Sequence, residues 1–394
     1  MSTKRKPNKN PISAPFGIVR SAFATAAFVG AFAVSALHAQ TDIYVLRVGD
    51  GGAISGQYAP FTILQFGDDG APVNSWDAPR TDAADRITTG ASFTTYAHLN
   101  LSVDRNYLTF VGRDVAVGGS RNQAQNVVIG SFPLQTNTFD TSTRLPQVAG
   151  TGYRAAVTTD GSEFWFTGQG GGLHYAARGQ TTPSESVLTT GGGAPSQIET
   201  AGIRIINNRL FFSRRAGSDR GIQFMEPAGL HRVHGNDRAL IEGVGWKRTA
   251  TDTPSSYNSF EFLDENTLFL SNSNGIQVYR RTDQTGGEFE GFDLLTGANQ
   301  GLSDLTGETH ISLLEQNGEV YLYYTSGMGT SDNGLYSVLW DRDDLTFGTP
   351  NLIATAGEGY TFGGLVAIPE PSTYALLFGA IGLAVSLGIR RRRS

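Results

Sequence analysis

The stretch Tyr153–Gly168 reads "YRAAVTTDGSEFWFTG". Two short apolar runs flank Asp160-Gly161, a pair that accepts the dihedrals of a tight hairpin turn, so the stretch predicts two antiparallel strands. The same layout returns four more times: "HLNLSVDRNYLTFVG" at 98–112, "IRIINNRLFFS" at 203–213, "NSFEFLDENTLFLSN" at 258–272 and "HISLLEQNGEVYLYYTSG" at 310–327. The alternation of apolar and polar residues suits half-buried strands, and no long stretch shows helical period. Between the turn residues Asp104, Asp160, Asn207, Asp264 and Asn317 the intervals are 56, 47, 57 and 53 residues. A third strand follows each hairpin. It opens on glycine in "GLHY", "GIQF", "GIQV" and "GLYS" (Gly172, Gly221, Gly275, Gly334), and reads "NVVIG" in the first unit. "SVLTT", "ALIEG", "FDLLT" and "NLIAT" supply a fourth.

Four strands in a unit of about 53 residues predict an all-β fold made of β-propeller blades. A lone β-sandwich would not need the regular period. Spread over residues 40–367, this period predicts six blades; seven, with a period near 47, is the alternative. The ends support six. "TFGGLVAI" at 361–368 reads as an innermost strand with no partner after it, whereas "DIYVLRVGDG" and "FTILQFGDDG" near the start read as outer strands with no inner strand before them. Joined, they predict one composite blade that closes the ring and removes an open sheet edge.

The termini are of another kind. Lys4, Arg5, Lys6, Lys9 and Arg20 precede an apolar run from about Ala22 to Leu37. Small residues end that run, as in a secretory signal peptide of residues 1–39 cut between Ala39 and Gln40. At the other end Tyr374 to Ile389 are sixteen uncharged residues. This is somewhat short of the roughly 20 that a ~30 Å hydrocarbon core requires, but Pro371, Ser372 and Thr373 can extend the span at the interface. Arg390, Arg391, Arg392 and Arg393 stop it and favour the cytoplasmic side. The domain plan is therefore a signal peptide (1–39), a propeller (40–367) and a C-terminal segment with a transmembrane helix (368–394).

Pro369-Glu370-Pro371, an apolar span and a terminal arginine cluster, in that order, resemble the PEP-CTERM sorting signal of Gram-negative bacteria. The resemblance covers only about 27 residues. It implies recognition by the secretion machinery and by a membrane-embedded exosortase that cuts near Pro369, Glu370 and Pro371. It also implies transient anchoring in the inner membrane, then delivery to the cell surface or the extracellular matrix, in the company of exopolysaccharide or biofilm. "VTTDGSEFWFTG" and "YVLRVGDGG" make the body similar to extracellular bacterial propellers of unassigned activity, which implies a fold and an exported setting but no substrate.

Composition narrows the chemistry. The chain has no cysteine, which excludes disulfides, thiolate catalysis and cysteine-ligated metals. Nine of its 30 basic residues and one of its 36 acidic residues, Glu370, lie in the two terminal segments, so the net charge of −6 becomes about −14 for the body. Such a surface repels nucleic acid and leaves neutral sugars or divalent cations as partners. "HRVHGND" sets His231 and His234 three apart near Asp237, short of a third zinc ligand with an oriented shell, so no metal site is expected. The acidic clusters "GDDG", "LDEN" and "DRDD" lack EF-hand spacing and read as turns, leaving room for at most a weak structural cation and no other cofactor. There is no G-x-S-x-G elbow, and "GQGGGL" and "TTGGGAP" do not lead into a phosphate-binding helix.

Counting back about six residues from each turn places His98, Arg154, Ala201, Asn258 and His310 at the start of an inner strand, near the channel mouth, with tyrosines close by. Of these, His98, Arg154, Asn258 and His310 are candidate ligand-binding residues, because propeller loops converge on one cavity. No catalytic residue is assigned. The expected function is a non-enzymatic, surface-sorted propeller that binds extracellular matrix material such as polysaccharide. The alternatives are a propeller hydrolase or lyase acting on polysaccharide, and a structural coat protein without ligand.

Overall fold

The computed structural model describes residues 41–369, leaving aside 53–56, 68–69, 91–95, 125, 147–151, 170–171, 188–199, 215–220, 226–237, 246–256, 273–274, 283–291, 298–299, 304, 306–307 and 329–331. Among the described residues six antiparallel sheets of four or five strands follow one another along the chain, besides a two-stranded pairing of Tyr58–Ala59 with Thr89–Gly90. The first blade is Asn100–Leu101, Tyr107–Arg113, Asn126–Pro133 and Asp140–Pro146; the second is Gly152–Val157, Glu163–Gln169, Gly172–Ala177 and Glu185–Ser186. The third is Thr200–Ile206, Arg209–Arg214, Gly221–Met225 and Arg238–Gly245; the fourth is Tyr257–Asp264, Thr267–Asn272, Gly275–Arg281 and Phe292–Leu294. The fifth is Glu308–Gln316, Glu319–Met328 and Gly334–Asp341, with Thr346–Phe347 and Asn351–Thr355 sharing its outer edge. The fold is a six-bladed β-propeller.

The sixth blade is the composite one. Tyr360–Pro369 forms its innermost strand, and Thr41–Gly49, Phe61–Phe66 and Pro72–Asp77 follow outward. The register runs from Thr41 opposite Pro369 to Gly49 opposite Tyr360. The outermost strand, "PVNSWD", is mostly exposed and carries little apolar signal, so its pairing is visible only in the structure.

The expectation of half-buried strands needs one adjustment. Blades stack face to face, so strands in the middle of a blade are covered on both sides. In the quoted stretch Phe164 and Phe166 pack against the first blade, while Trp165 between them packs against the third. Period-2 alternation distributes the side chains between two cores rather than between core and solvent. Among the described residues, apart from a small cluster of Tyr58, Val115 and Ala124, the buried apolar side chains fall into six clusters, one at each blade junction.

A repeated device stitches the blades near the channel. In five blades the inner-strand ladder slips close to its start, at Arg154, Ala201-Gly202, Asn258, Thr309 and Gly363-Gly364. At three of these slips a carbonyl meets a hydroxyl of the preceding blade. Thr167 Oγ1 donates to Ala201 O at 2.5 Å, Ser271 Oγ to Thr309 O at 2.5 Å, and Thr325 Oγ1 to Gly363 O at 2.9 Å. A bulge thus links one blade to the next instead of leaving a buried acceptor orphaned.

Candidate functional site

The channel is lined by the inner strands, and its polar side chains form two groups. His98 of the first blade and His310 of the fifth meet edge to face, with ring centroids 4.4 Å apart. Gly363-Gly364 on the closing strand between them presents no side chain there, which leaves room for the contact. The histidines are 1% and 2% exposed and Arg154 is 2% exposed, so a ligand reaching them must enter the channel rather than rest on its rim. Arg154 Nη1 donates to Thr200 O at 3.0 Å, tying the second blade to the third. Asn258 lies at the ladder slip of the fourth inner strand, and its side chain is outside the described residues. The structure therefore brings His98 and His310 together and points Arg154 at the neighbouring backbone.

The second group was not singled out by spacing. Arg204 of the third inner strand donates to Glu261 of the fourth, from Nε at 2.9 Å and from Nη2 at 2.5 Å. Its Nη1 donates to Asn100 Oδ1 of the first blade, and Asn100 Nδ2 in turn donates to Ala156 O of the second at 2.6 Å. The guanidinium thus spans the channel between three blades, and Asn100 carries the network on to a fourth. A sequence signal existed: "IRII" and "FEFL" each place one charge inside an otherwise apolar inner strand, which needs a partner where it is buried.

This network forms one wall of a cavity of about 370 Å³ at the hairpin end of the channel. Leu101, Val103, Ile205 and Leu313 supply aliphatic surface and Ser312 a hydroxyl, while the Ser102 hydroxyl donates to Asp104 Oδ1 and accepts from the N–H groups of Asn106 and Tyr107. Pro369, the end of the closing strand, also lines it. Among the described residues no three His, Asp or Glu side chains are grouped to hold a metal ion. His231, His234 and Asp237 lie outside the described residues. Of the acidic clusters, "LDEN" and "DRDD" serve turns: Asp264 Oδ1 accepts from Asn266 N at 2.8 Å, and Asp341 Oδ1 accepts from the N–H groups of Asp343 and Asp344 at 2.8 and 2.9 Å.

His310 carries the marked electrostatic perturbation. Burial, reinforced by the nearby Arg204 charge, lowers its pKa to about 3. The folded protein therefore keeps this imidazole neutral while the unfolded chain takes up a proton below about pH 6.5. Stability from this group is complete above that pH and is lost as pH falls toward 3, by about 2 kcal/mol between pH 6.5 and 5. Thermal midpoints measured across that interval should fall in the native protein and fall less in His310→Gln. Equal slopes would show that His310 titrates normally.

Comparison with known proteins identifies the C-terminal segment. Residues 367–393 match the PEP-CTERM protein-sorting motif. The chain is thus a propeller carrying an exosortase sorting signal: an exported, surface-sorted protein anchored in the membrane through its C-terminus before processing. Glu370, Pro371, the apolar stretch 374–389 and Arg390–Arg393 lie outside the described residues, as do Ala39 and Gln40. Among the described residues no helix is long and apolar enough to cross a membrane. No curated protein matches the chain.

Solved structures resemble the body at low identity. A Bacteroides fragilis NCTC 9343 protein provisionally assigned as a 6-phosphogluconolactonase is 15% identical with a TM-score of 0.44, over 78% of this chain and 82% of that one. A protein of unknown function from Bacteroides caccae is 11% identical with a TM-score of 0.44, over 83% and 100%. The extracellular domain of a provisionally assigned one-component system, BT4673 of Bacteroides thetaiotaomicron, is 12% identical with a TM-score of 0.41, over 82% of this chain and 41% of that one. Likenesses of this size carry no ligand or reaction across.

Proposed function

We propose that the protein is a non-enzymatic binding propeller of the cell envelope or exopolysaccharide layer, and that its ligand is a neutral glycan segment held in the hairpin-end cavity. One observation carries this reading: the cavity's Arg204–Glu261 charge pair is already closed, at 2.5 Å, within an aliphatic wall that also offers the Ser312 hydroxyl. Paired charges give a cation or an anion little net attraction, whereas fixed donors and acceptors beside apolar surface suit a polyhydroxylated, uncharged ligand. The polar span across the channel speaks against the coat-protein alternative, which expects an apolar plug. His98, Arg154, Asn258 and His310 would lie deeper along the same channel.

The termini serve delivery in this proposal. Residues 1–39 act as a signal peptide cut between Ala39 and Gln40, residues 374–389 span the inner membrane, and Arg390–Arg393 stop transfer. Exosortase then acts at Pro369-Glu370-Pro371. A glycan array probed with the processed protein tests the binding claim: a set of neutral glycans is expected to be retained, and Val103→Trp at the exposed cavity wall is expected to abolish retention without lowering the thermal midpoint. Retention that survives Val103→Trp, or no retention of any glycan, would overturn it.

A further inference from the structure

The closing blade brings Thr41 and Pro369, the described residues that adjoin the two expected processing points, to one face of the propeller. Pro369 is paired with Thr41, and Thr41 Oγ1 donates to Gln316 Oε1 at 3.0 Å, at the hairpin end of the fifth inner strand. The expected signal-peptidase cut, between Ala39 and Gln40, lies one residue before that paired Thr41. Only residues 370–373 separate Pro369 from the uncharged stretch that begins at Tyr374. Fully extended, the five steps from Pro369 to Tyr374 reach about 17 Å, part of which crosses a headgroup layer of roughly 5–8 Å. The cavity wall at Leu101, Val103 and Pro369 is on this same face.

We propose that, while the sorting signal is uncut, this hairpin-end face is held on the lipid surface with the cavity mouth covered, and that the exosortase cut uncovers it. The proposal rests on the membrane span at 374–389, but not on the identity of any cavity ligand. The contact is made by the tether, not by affinity. Exposed Asp104, Asp160, Asp264, Glu265, Glu315 and Glu319 lie at the hairpin ends of the blades. Hydrogen bonds from Ser162 hold the Asp160 carboxyl below the ordinary range, so it stays charged. Anionic headgroups repel such a face, and it leaves the membrane once the tether is cut.

The absence of cysteine makes a clean test available. Val103, 54% exposed, lies on the cavity wall, while Val117, 41% exposed, follows the second strand of the first blade at the opposite face. Val103→Cys and Val117→Cys are made in the full chain, expressed in a host without exosortase, and treated with polyethylene-glycol maleimide on spheroplasts. Cysteine at position 103 is expected to react several-fold more slowly than at 117, and detergent is expected to equalise the two. A Gly/Ser insert of about 20 residues after Thr373, with an r.m.s. reach of roughly 25 Å, should restore reactivity at 103 without detergent. Equal rates in intact spheroplasts, for protein that resists alkaline extraction, would overturn the docking alone. Protein washed off by alkaline extraction would overturn the membrane span and the docking with it.

Discussion

A chain that ends at Gly359 is expected to fail to fold cooperatively, whereas one that ends at Pro369 is expected to fold. The ten residues Tyr360–Pro369 are the innermost strand of the closing blade. Without them Thr41–Gly49 becomes an open inner edge, and the cores on both sides of that blade lose their contents. Phe362 and Leu365 belong to the junction with the fifth blade, and Val366 belongs to the junction with the first. All three are 5% exposed or less. At about 1.5–3 kcal/mol for each large apolar side chain, their loss removes roughly 5–9 kcal/mol, comparable with the 5–15 kcal/mol that holds a typical domain together. Circular dichroism and urea unfolding compare the two chains, and a synthetic peptide of residues 360–369 added in trans should partly restore the shorter one. An unchanged urea midpoint in the shorter chain would mean that the ring does not depend on this closure. A further consequence concerns processing: a cut on the N-terminal side of Pro369 would begin to dismantle the strand, so the propeller tolerates cleavage at or beyond the motif.

Gly364→Ala is expected to cost about 3 kcal/mol or more. A Cβ at this position would lie 2.1 Å from Leu99 N, 2.7 Å from His98 C and 2.8 Å from Ala97 O. All three are backbone atoms, so no side chain can swing aside. The Gly364 N–H also donates to Ala97 O at 2.7 Å, the contact that joins the last inner strand to the start of the first blade. Separating the strands to admit a methyl group would break that bond and disturb the His98–His310 packing beside it. Gly348→Ala is the control: its nearest neighbours would be 3.6 and 3.8 Å away, and the change should stay within ~0.5 kcal/mol. Denaturant midpoints of the two variants read the difference directly, and equal midpoints would show that this junction yields without penalty.

Local chemistry made much of the molecule legible before any coordinates. Asn207-Asn208, at φ of 50° and 59°, and Asn317-Gly318, at 56° and 83°, adopt the left-handed angles their residue types allow, and these turns set the period from which six blades follow. The unpartnered "TFGGLVAI" and the orphan outer strands near the start required each other, since an open edge is unfavourable on either. The sorting signal is linear, so it too could be read along the chain. Spacing also brought His98 and His310 forward as candidates, though not their contact with each other.

Other features depend on distances that sequence separation does not encode. Arg204 and Asn100 are 104 residues apart and meet only because the ring curves back on itself. The cavity consists of ends contributed by several inner strands, none of which carries a motif. A strand covered on two faces has the same period as one covered on one face, so the division of Phe164, Trp165 and Phe166 between two cores could be assigned only once neighbouring blades were in place. Turn chemistry and apolar period act within a few residues and therefore determined the blades. The charge span and the histidine contact arise from closing the ring, so only the tertiary structure could decide them.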